Sequence, residues 1–320
     1  MPINQVQFQR GVSMPEFFER YGTEAQCTTA LEALRWPQGF RCPRCSSSAH
    51  YVVGHGTRKL FQCCQCRHQT SLPAGTMMDS TKLPLRTWFL AIYLISQAKT
   101  GLSALALKRQ LGVSYRTAWL VHQKLMKTMS QRDSEQPLTG PVQMDDAYLG
   151  GERPGVGGRG STNKVPIVAA VSTNDAGNPL RVKVGPLAGF SREAITAWAR
   201  VNLEPGCDVR SDGLSCFAGV IDADCAHSFI VVGTRKPRDL PQFTWVNTVL
   251  GNLKTMISGA HKAFKFAKYA GQYLGAFCYR FNRRFDLQAL LRNLLGHVAA
   301  AAPTRDLHIR AMAGVAEVHG

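Results

Sequence analysis

Apolar positions fall into three rhythms along the 320 residues. Short alternating runs come first, at His50-Tyr51-Val52-Val53 and Lys59-Leu60-Phe61-Gln62, and these read as strands joined by Gly54-His55-Gly56-Thr57. Between residues 79 and 130 the spacing is helical. Pro84 suits a first helical position, and Leu85, Trp88, Phe89, Ile92 and Ile95 recur every three or four residues, so one helix face is buried. A second helix runs from Ser103 to Leu111 and stops at Gly112, and Ser114 caps a third that carries Ala118, Val121 and Leu125. Leu111-Gly112-Val113-Ser114 then forms the tight corner of a helix-turn-helix, with Tyr115, Arg116 and His122 expected to face outward on its last helix. An ordinary three-helix bundle fits the same pattern. Beyond residue 141 the period shortens again: Val142 to Leu149, Val165 to Ser172, Leu180 to Val184, Asp208 to Ser211 and His227 to Val232 read as strands. Helical stretches are expected at Arg192 to Val201, Thr244 to Ile257 and Ala263 to Asn282.

These rhythms predict a multidomain α+β or α/β chain. Its parts are an N-terminal helical segment (1–36), a small ribbon (37–75), the helix-turn-helix bundle (79–130), a linker (131–141), a mixed-sheet domain with flanking helices (142–298) and a peripheral tail (299–320). The linker assignment rests on a polar stretch, Gln131 to Pro141, punctuated by proline and glycine.

Charge narrows the partners. Lys and Arg number 38 against 21 Asp and Glu, a net charge of +17, so the surface field attracts polyanions, with nucleic acid first among them. The longest apolar run, Trp88 to Ile95, is far below the ~20 residues that span a bilayer. The first residues lack a basic patch followed by an apolar stretch, so the cytoplasm, at the nucleoid, is the expected compartment.

Five of the ten cysteines lie between Cys42 and Cys66. Cys42-Pro-Arg-Cys45 and Cys63-Cys64-Gln-Cys66 are two C-x-x-C knuckles at the spacing of a four-thiolate zinc ribbon, and a hairpin between them would bring both to one Zn²⁺. Cys64 is spare. His50, His55 and His68 are expected at the surface, because four thiolates already complete a tetrahedron.

The second half carries acids on strands. Asp145 sits within Val142-Gln143-Met144-Asp145-Asp146-Ala147-Tyr148, and Asp212 ends Val209-Arg210-Ser211-Asp212, where Gly213 is expected to let the chain turn sharply. Two carboxylates on neighbouring strands suit a divalent ion, and phosphodiester chemistry uses such ions to activate the attacking oxygen and stabilise the leaving one. On the helix from Thr244, Asn247 and Lys254 are seven positions apart and project to the same side, with Gly251 between them. That side offers an oxygen ligand, a bare turn and a cation.

Zinc ribbon, helix-turn-helix, then Asp, Asp, Asn and a following Lys is an order that resembles one family of bacterial insertion-sequence transposases. The resemblance covers about Phe40 to Phe285. It is carried most specifically by Cys-Pro-Arg-Cys at 42–45, Met-Asp-Asp-Ala-Tyr-Leu-Gly-Gly-Glu at 144–152, Ser-Asp-Gly at 211–213, Trp-Val-Asn-Thr at 245–248 and Tyr-Arg-Phe-Asn-Arg-Arg-Phe at 279–285. It implies a ribonuclease H-like catalytic domain, cleavage and strand transfer of double-stranded DNA, and a homo-oligomer assembled on that DNA. It also implies Asp145, Asp212 and Asn247 as ligands to catalytic Mg²⁺ or Mn²⁺, and Lys254 as a DNA contact. Asn247 is a departure from the Glu that most transposases of this fold carry. It cannot act as a base, and Asp146 or Glu152 are the acids able to supplement it. A zinc-ribbon regulator without catalysis, an inactive copy and a nuclease that cuts without joining are the alternatives.

Gly155-Val156-Gly157-Gly158-Arg159-Gly160 fits G-x-G-x-x-G but precedes a strand, not a helix, so dinucleotide binding is rejected. A basic loop with Arg153, Arg159 and Lys164 able to touch phosphates is the preferred reading. Arg280, Arg283 and Arg284 could do the same.

Overall fold

The computed structural model describes residues 6, 8–55, 58–150, 164–236, 239–262 and 264–311. Two compact units result, one drawn from residues 1–98, 104–128 and 285–310, the other from 99–103, 129–284 and 311–320.

The first unit opens with α1 (Met14–Tyr21) and α2 (Glu24–Arg35), each begun by a capping box, Ser13 with Glu16 and Thr23 with Gln26. A three-stranded antiparallel sheet follows, β1 (His50–His55), β2 (Arg58–Cys63) and β3 (Gln69–Ser71), in that order. Then come α3 (Leu85–Gln97), α4 (Ala104–Leu111) and α5 (Tyr115–Ser134). Gly112, at φ 66°, ends α4, and the Ser114 hydroxyl accepts the Thr117 N–H at 3.2 Å to cap α5. His122, expected to face outward, is instead buried, as are Val121 through Met126 without a break. Polar side chains inside this stretch are tolerated where they find partners: the Lys124 ammonium donates to the Met77 carbonyl at 2.9 Å.

The chain's end also departs from expectation. α9 (Leu287–Ala300) packs on α2 and α3 rather than on the large sheet. Nor are residues 299–311 peripheral: Ala299, Thr304 and Ile309 are buried, the last within α10 (Asp306–Arg310).

The second unit is built on a five-stranded sheet of β4 (Pro141–Leu149), β5 (Val165–Thr173), β6 (Pro179–Pro186), β7 (Asp208–Asp212) and β8 (Ala226–Ile230). Their order is β6-β5-β4-β7-β8. The first three form an antiparallel meander, and β7 and β8 run parallel to β4. Alternation sorts side chains to two cores. Val142, Met144, Val168, Ala170 and Val209 pack with α6 (Arg192–Asn202) and the 3-10 turn Ser215–Ala223. Ile167, Ala169, Val171, Val182 and Val184 pack with α7 (Thr244–Met256) and α8 (Phe266–Asn282). α7 continues into a π-helical turn at Ile257–His261.

Residues 131–141 are not a free linker. Their first four belong to α5, Leu138 is buried, and its N–H donates to the Asn202 carbonyl at 2.8 Å. Asp133, 3% exposed, accepts from Lys183 at 3.1 Å and from the Asn282 amide at 2.8 Å, with Arg283 and Arg181 at 3.6 and 3.8 Å. A buried carboxylate of this kind is held by several donors at once.

Candidate metal centres and nucleic-acid contacts

Both knuckles of the small sheet share one backbone form. Ser46 N–H donates to Cys42 O at 2.8 Å and Arg67 N–H to Cys63 O at 3.1 Å, and each of these residues, next after Cys45 and Cys66, is left-handed, at φ 61° and 60°. Non-glycine residues adopt that conformation at a cost of order 1 kcal/mol, so its repetition marks two turns made to the same end. The Sγ atoms of Cys42, Cys45, Cys63 and Cys66 all lie within 4.8 Å of one another, with Cys42 to Cys66 and Cys45 to Cys63 at 3.5 Å. A tetrahedral thiolate shell at about 2.3 Å from zinc spaces its sulfurs by about 3.8 Å, so the donor set fits Zn²⁺. Main-chain N–H groups of Cys66 and Gln65 favour the Cys63 thiolate and hold this thiol down at about 6. His50 is half-buried against Phe40 and His68 is half-buried, and neither is in the cluster.

On the large sheet, Val142 pairs with Val209 and Met144 with Ser211, so Asp145 and Asp212 continue the same parallel register on the α7 face. One carboxylate oxygen from each of Asp145, Asp146 and Asp212 lies within 4.8 Å of the others. Asp145 Oδ1 accepts the Asp146 N–H at 2.8 Å, and Asp212 Oδ1 accepts the Leu214 N–H at 3.1 Å, which orients both carboxylates. Gly213 bends the chain sharply after β7, as expected, but without a left-handed backbone. It is needed for closeness, since a Cβ there would sit 3.1 Å from Val231 Cγ2. Hard oxygen donors at this density suit Mg²⁺ or Mn²⁺.

Asp145, Asp212 and Asn247 line one cavity of about 210 Å³, together with Val232, Arg235, Leu240 and Phe243. Lys254 does not line it. Two turns beyond Asn247 on α7, it is exposed, and Gly251 between them faces open space. Two lining or supporting residues escaped the sequence reading. Gln143, two residues before Asp145 on the same strand face, accepts with Oε1 from the Trp245 and Val246 N–H groups at 3.0 and 3.2 Å, pinning the first turn of α7 over the sheet. Arg235, in the loop after β8, is the other. The period-2 pattern around Asp145 could have pointed to Gln143; nothing in a short basic loop distinguished Arg235 from its neighbours.

Among the expected DNA contacts, Tyr115 is exposed, and Arg116 is exposed while paired with Asp306 at 3.4 Å. Arg159, with Arg153, Glu152 and the glycine run, lies outside the described residues. The arginines at the end of α8 are divided. Arg283 stacks on Tyr279 and faces Asp133, Arg284 donates to the Leu180 and Pro179 carbonyls, and burial pushes Arg280 down to about 10. None of the three is a free solvated face. No helix among the described residues is long and apolar enough to cross a membrane.

Comparison with known proteins finds a family match over each of two segments of the chain. Residues 22–69 match a transposase zinc-ribbon domain and residues 137–282 an ISXO2-like transposase domain. The chain is 29% identical over 131 residues to an uncharacterized protein in transposable element ISH50 of Halobacterium salinarum, a stretch covering 40% of this chain and 42% of that protein.

Proposed function

We propose, from the matches of residues 22–69 to a transposase zinc-ribbon domain and of residues 137–282 to an ISXO2-like transposase domain, that this chain is an insertion-sequence transposase that cleaves the ends of its element and joins them to target DNA. The carrying observation is the convergence of Asp145, Asp212 and Asn247 on one cavity in a sheet of order β6-β5-β4-β7-β8, which supports a ribonuclease H-like catalytic domain. Asp145 and Asp212 would hold Mg²⁺ or Mn²⁺ with Asn247 as a neutral oxygen ligand, and Cys42, Cys45, Cys63 and Cys66 would hold a structural Zn²⁺. Bound divalent ions supply charge stabilisation to the phosphorane-like transition state. Asn247 takes no proton, so the chain's contribution on that side is orientation. In cleavage a water oxygen joins phosphorus and the 3′ oxygen leaves as a hydroxyl. In joining, that hydroxyl oxygen bonds the target phosphorus and the target's own 3′ oxygen departs.

Double-stranded DNA is thus the partner, at the nucleoid, and the ribbon with α4 and α5 is its reader, Tyr115 and Arg116 facing the groove and Lys254 a phosphate near the site. A homo-oligomer on paired ends is part of this reading. Asp145→Asn and Asp212→Asn should each abolish Mg²⁺-dependent cleavage and joining of an end-containing duplex while leaving duplex binding within about twofold. A wild-type protein that binds the ends without cutting them would favour a zinc-ribbon regulator, and cutting without joined product would leave a nuclease.

A further inference from the structure

The cavity that holds the carboxylates also holds a cation. Arg235 lines it beside Asp145, Asp212 and Asn247. A basic side chain on an exposed loop that lines the same small cavity as carboxylates can close onto them, because opposite charges attract. Here that does not happen: among the described residues Arg235 forms no ion pair with a carboxylate. Its Nε instead donates to the Val232 carbonyl at 3.2 Å and its Nη2 to the Val231 carbonyl, while its own N–H closes a turn onto Val232 at 3.2 Å. Three bonds to the end of the β8 segment therefore fix the side chain. Two of the five guanidinium N–H groups are spent on main chain, and among the described residues the Nη1 group has no acceptor.

A cavity with oxygen donors for a divalent cation on one wall and a restrained guanidinium on another fits one kind of ligand. It must be anionic, able to share oxygens with a metal and also to accept from a planar donor. A phosphodiester meets both conditions. Resting on the transposase reading above, we propose that Arg235 is a substrate-binding residue that donates to a non-bridging oxygen of the DNA phosphate flanking the cleaved bond. Its neighbours Thr234 and Lys236 lie on the same exposed loop, which extends the positive surface away from the cavity.

The test compares wild type, Arg235→Ala and Arg235→Lys on an end-containing duplex, with and without a neutral methylphosphonate at the phosphate flanking the cleaved bond. Arg235→Ala should raise KM for the duplex about 10- to 100-fold. It should also lower the slope of log binding against log salt by about one and leave the Mg²⁺ concentration for half-activity unchanged. Arg235→Lys should recover part of the loss. The methylphosphonate should weaken the wild type and cost Arg235→Ala little more, since both remove the same contact. Additive losses, an unaltered salt slope, or a shift confined to metal requirement would each overturn the assignment. Wild-type protein that cuts normally while Arg235→Ala cuts equally well defeats this proposal alone. Wild-type protein that never cuts defeats the transposase reading, and the salt slope of binding, measured with Ca²⁺ in place of Mg²⁺, then still decides the arginine.

Discussion

Replacing Gln143 by Leu removes the carboxamide, its oxygen and its NH₂ group, while keeping a side chain of comparable size. That oxygen accepts from two N–H groups at the start of α7, the Trp245 N–H at 3.0 Å and the Val246 N–H at 3.2 Å. The first turn of a helix has no intrahelical partner for these donors, and no side chain of Phe243, the residue before the helix, can supply one. Loss of a helix cap costs about 0.5–2 kcal/mol, and each half-buried N–H left unpaired costs about 1–3 kcal/mol where water cannot reach it. Because water replaces part of the bond, about 2 kcal/mol is the expected total, a fall of roughly 4–8 °C in melting temperature for a domain of this size. The consequence for the site is separate. Asn247 lies in that same first turn and a half, so a loosened start should raise the Mg²⁺ or Mn²⁺ concentration for half-maximal cleavage severalfold. Gln143→Glu keeps the acceptor and puts a negative charge at the helix N-terminus, but two residues from Asp145, and should recover only part of both losses. Calorimetry and a metal titration of cleavage measure the two effects. A Gln143→Leu protein with wild-type melting and wild-type metal requirement would refute the argument.

Chelating zinc, or substituting Cys45→Ser, should release one zinc per chain and unfold the ribbon, read by elemental analysis and by loss of sequence-selective binding; full zinc retention in Cys45→Ser would remove Cys45 from the shell. Gly275→Ala should destabilise by about 1–3 kcal/mol although alanine favours helix, because its Cβ would lie 2.2 Å from Ser130 Oγ and 2.8 Å from Ser130 Cα. A Ser130→Gly background should relieve part of that cost, and a melting temperature unchanged or raised in Gly275→Ala alone would contradict the packing.

How much was readable in advance depended on whether local pattern or distant partner decided a residue's place. The five strands of the large sheet and the start of α7 lie within one or two residues of their expected bounds, because alternation and helical spacing are local signals. His122 and Asp133 were misplaced for the opposite reason. A polar side chain on a helix reads as a wet face and a polar run as a linker, yet α5 is enclosed along Val121 to Met126, and Asp133, in the expected linker, is claimed by Lys183, fifty residues away. The two knuckles were legible because a metal shell demands fixed short spacings. Arg235 was not, since only the return of the chain after β8 carries a basic loop residue to the wall of the acidic cavity.

That Asp145, Asp212 and Asn247 come from β4, β7 and α7 also sets a schedule. Asp145 and Asn247 are 102 positions apart, which translation covers in roughly 5–20 s at ordinary rates. The four cysteines span only Cys42 to Cys66, so the ribbon can close on zinc long before the last member of the acidic site has been made. On the function proposed above, a nascent chain is therefore able to grip DNA before it is able to cut it. On that reading the delay separates attachment from damage, and it follows from nothing more than the order in which the strands and helix are strung.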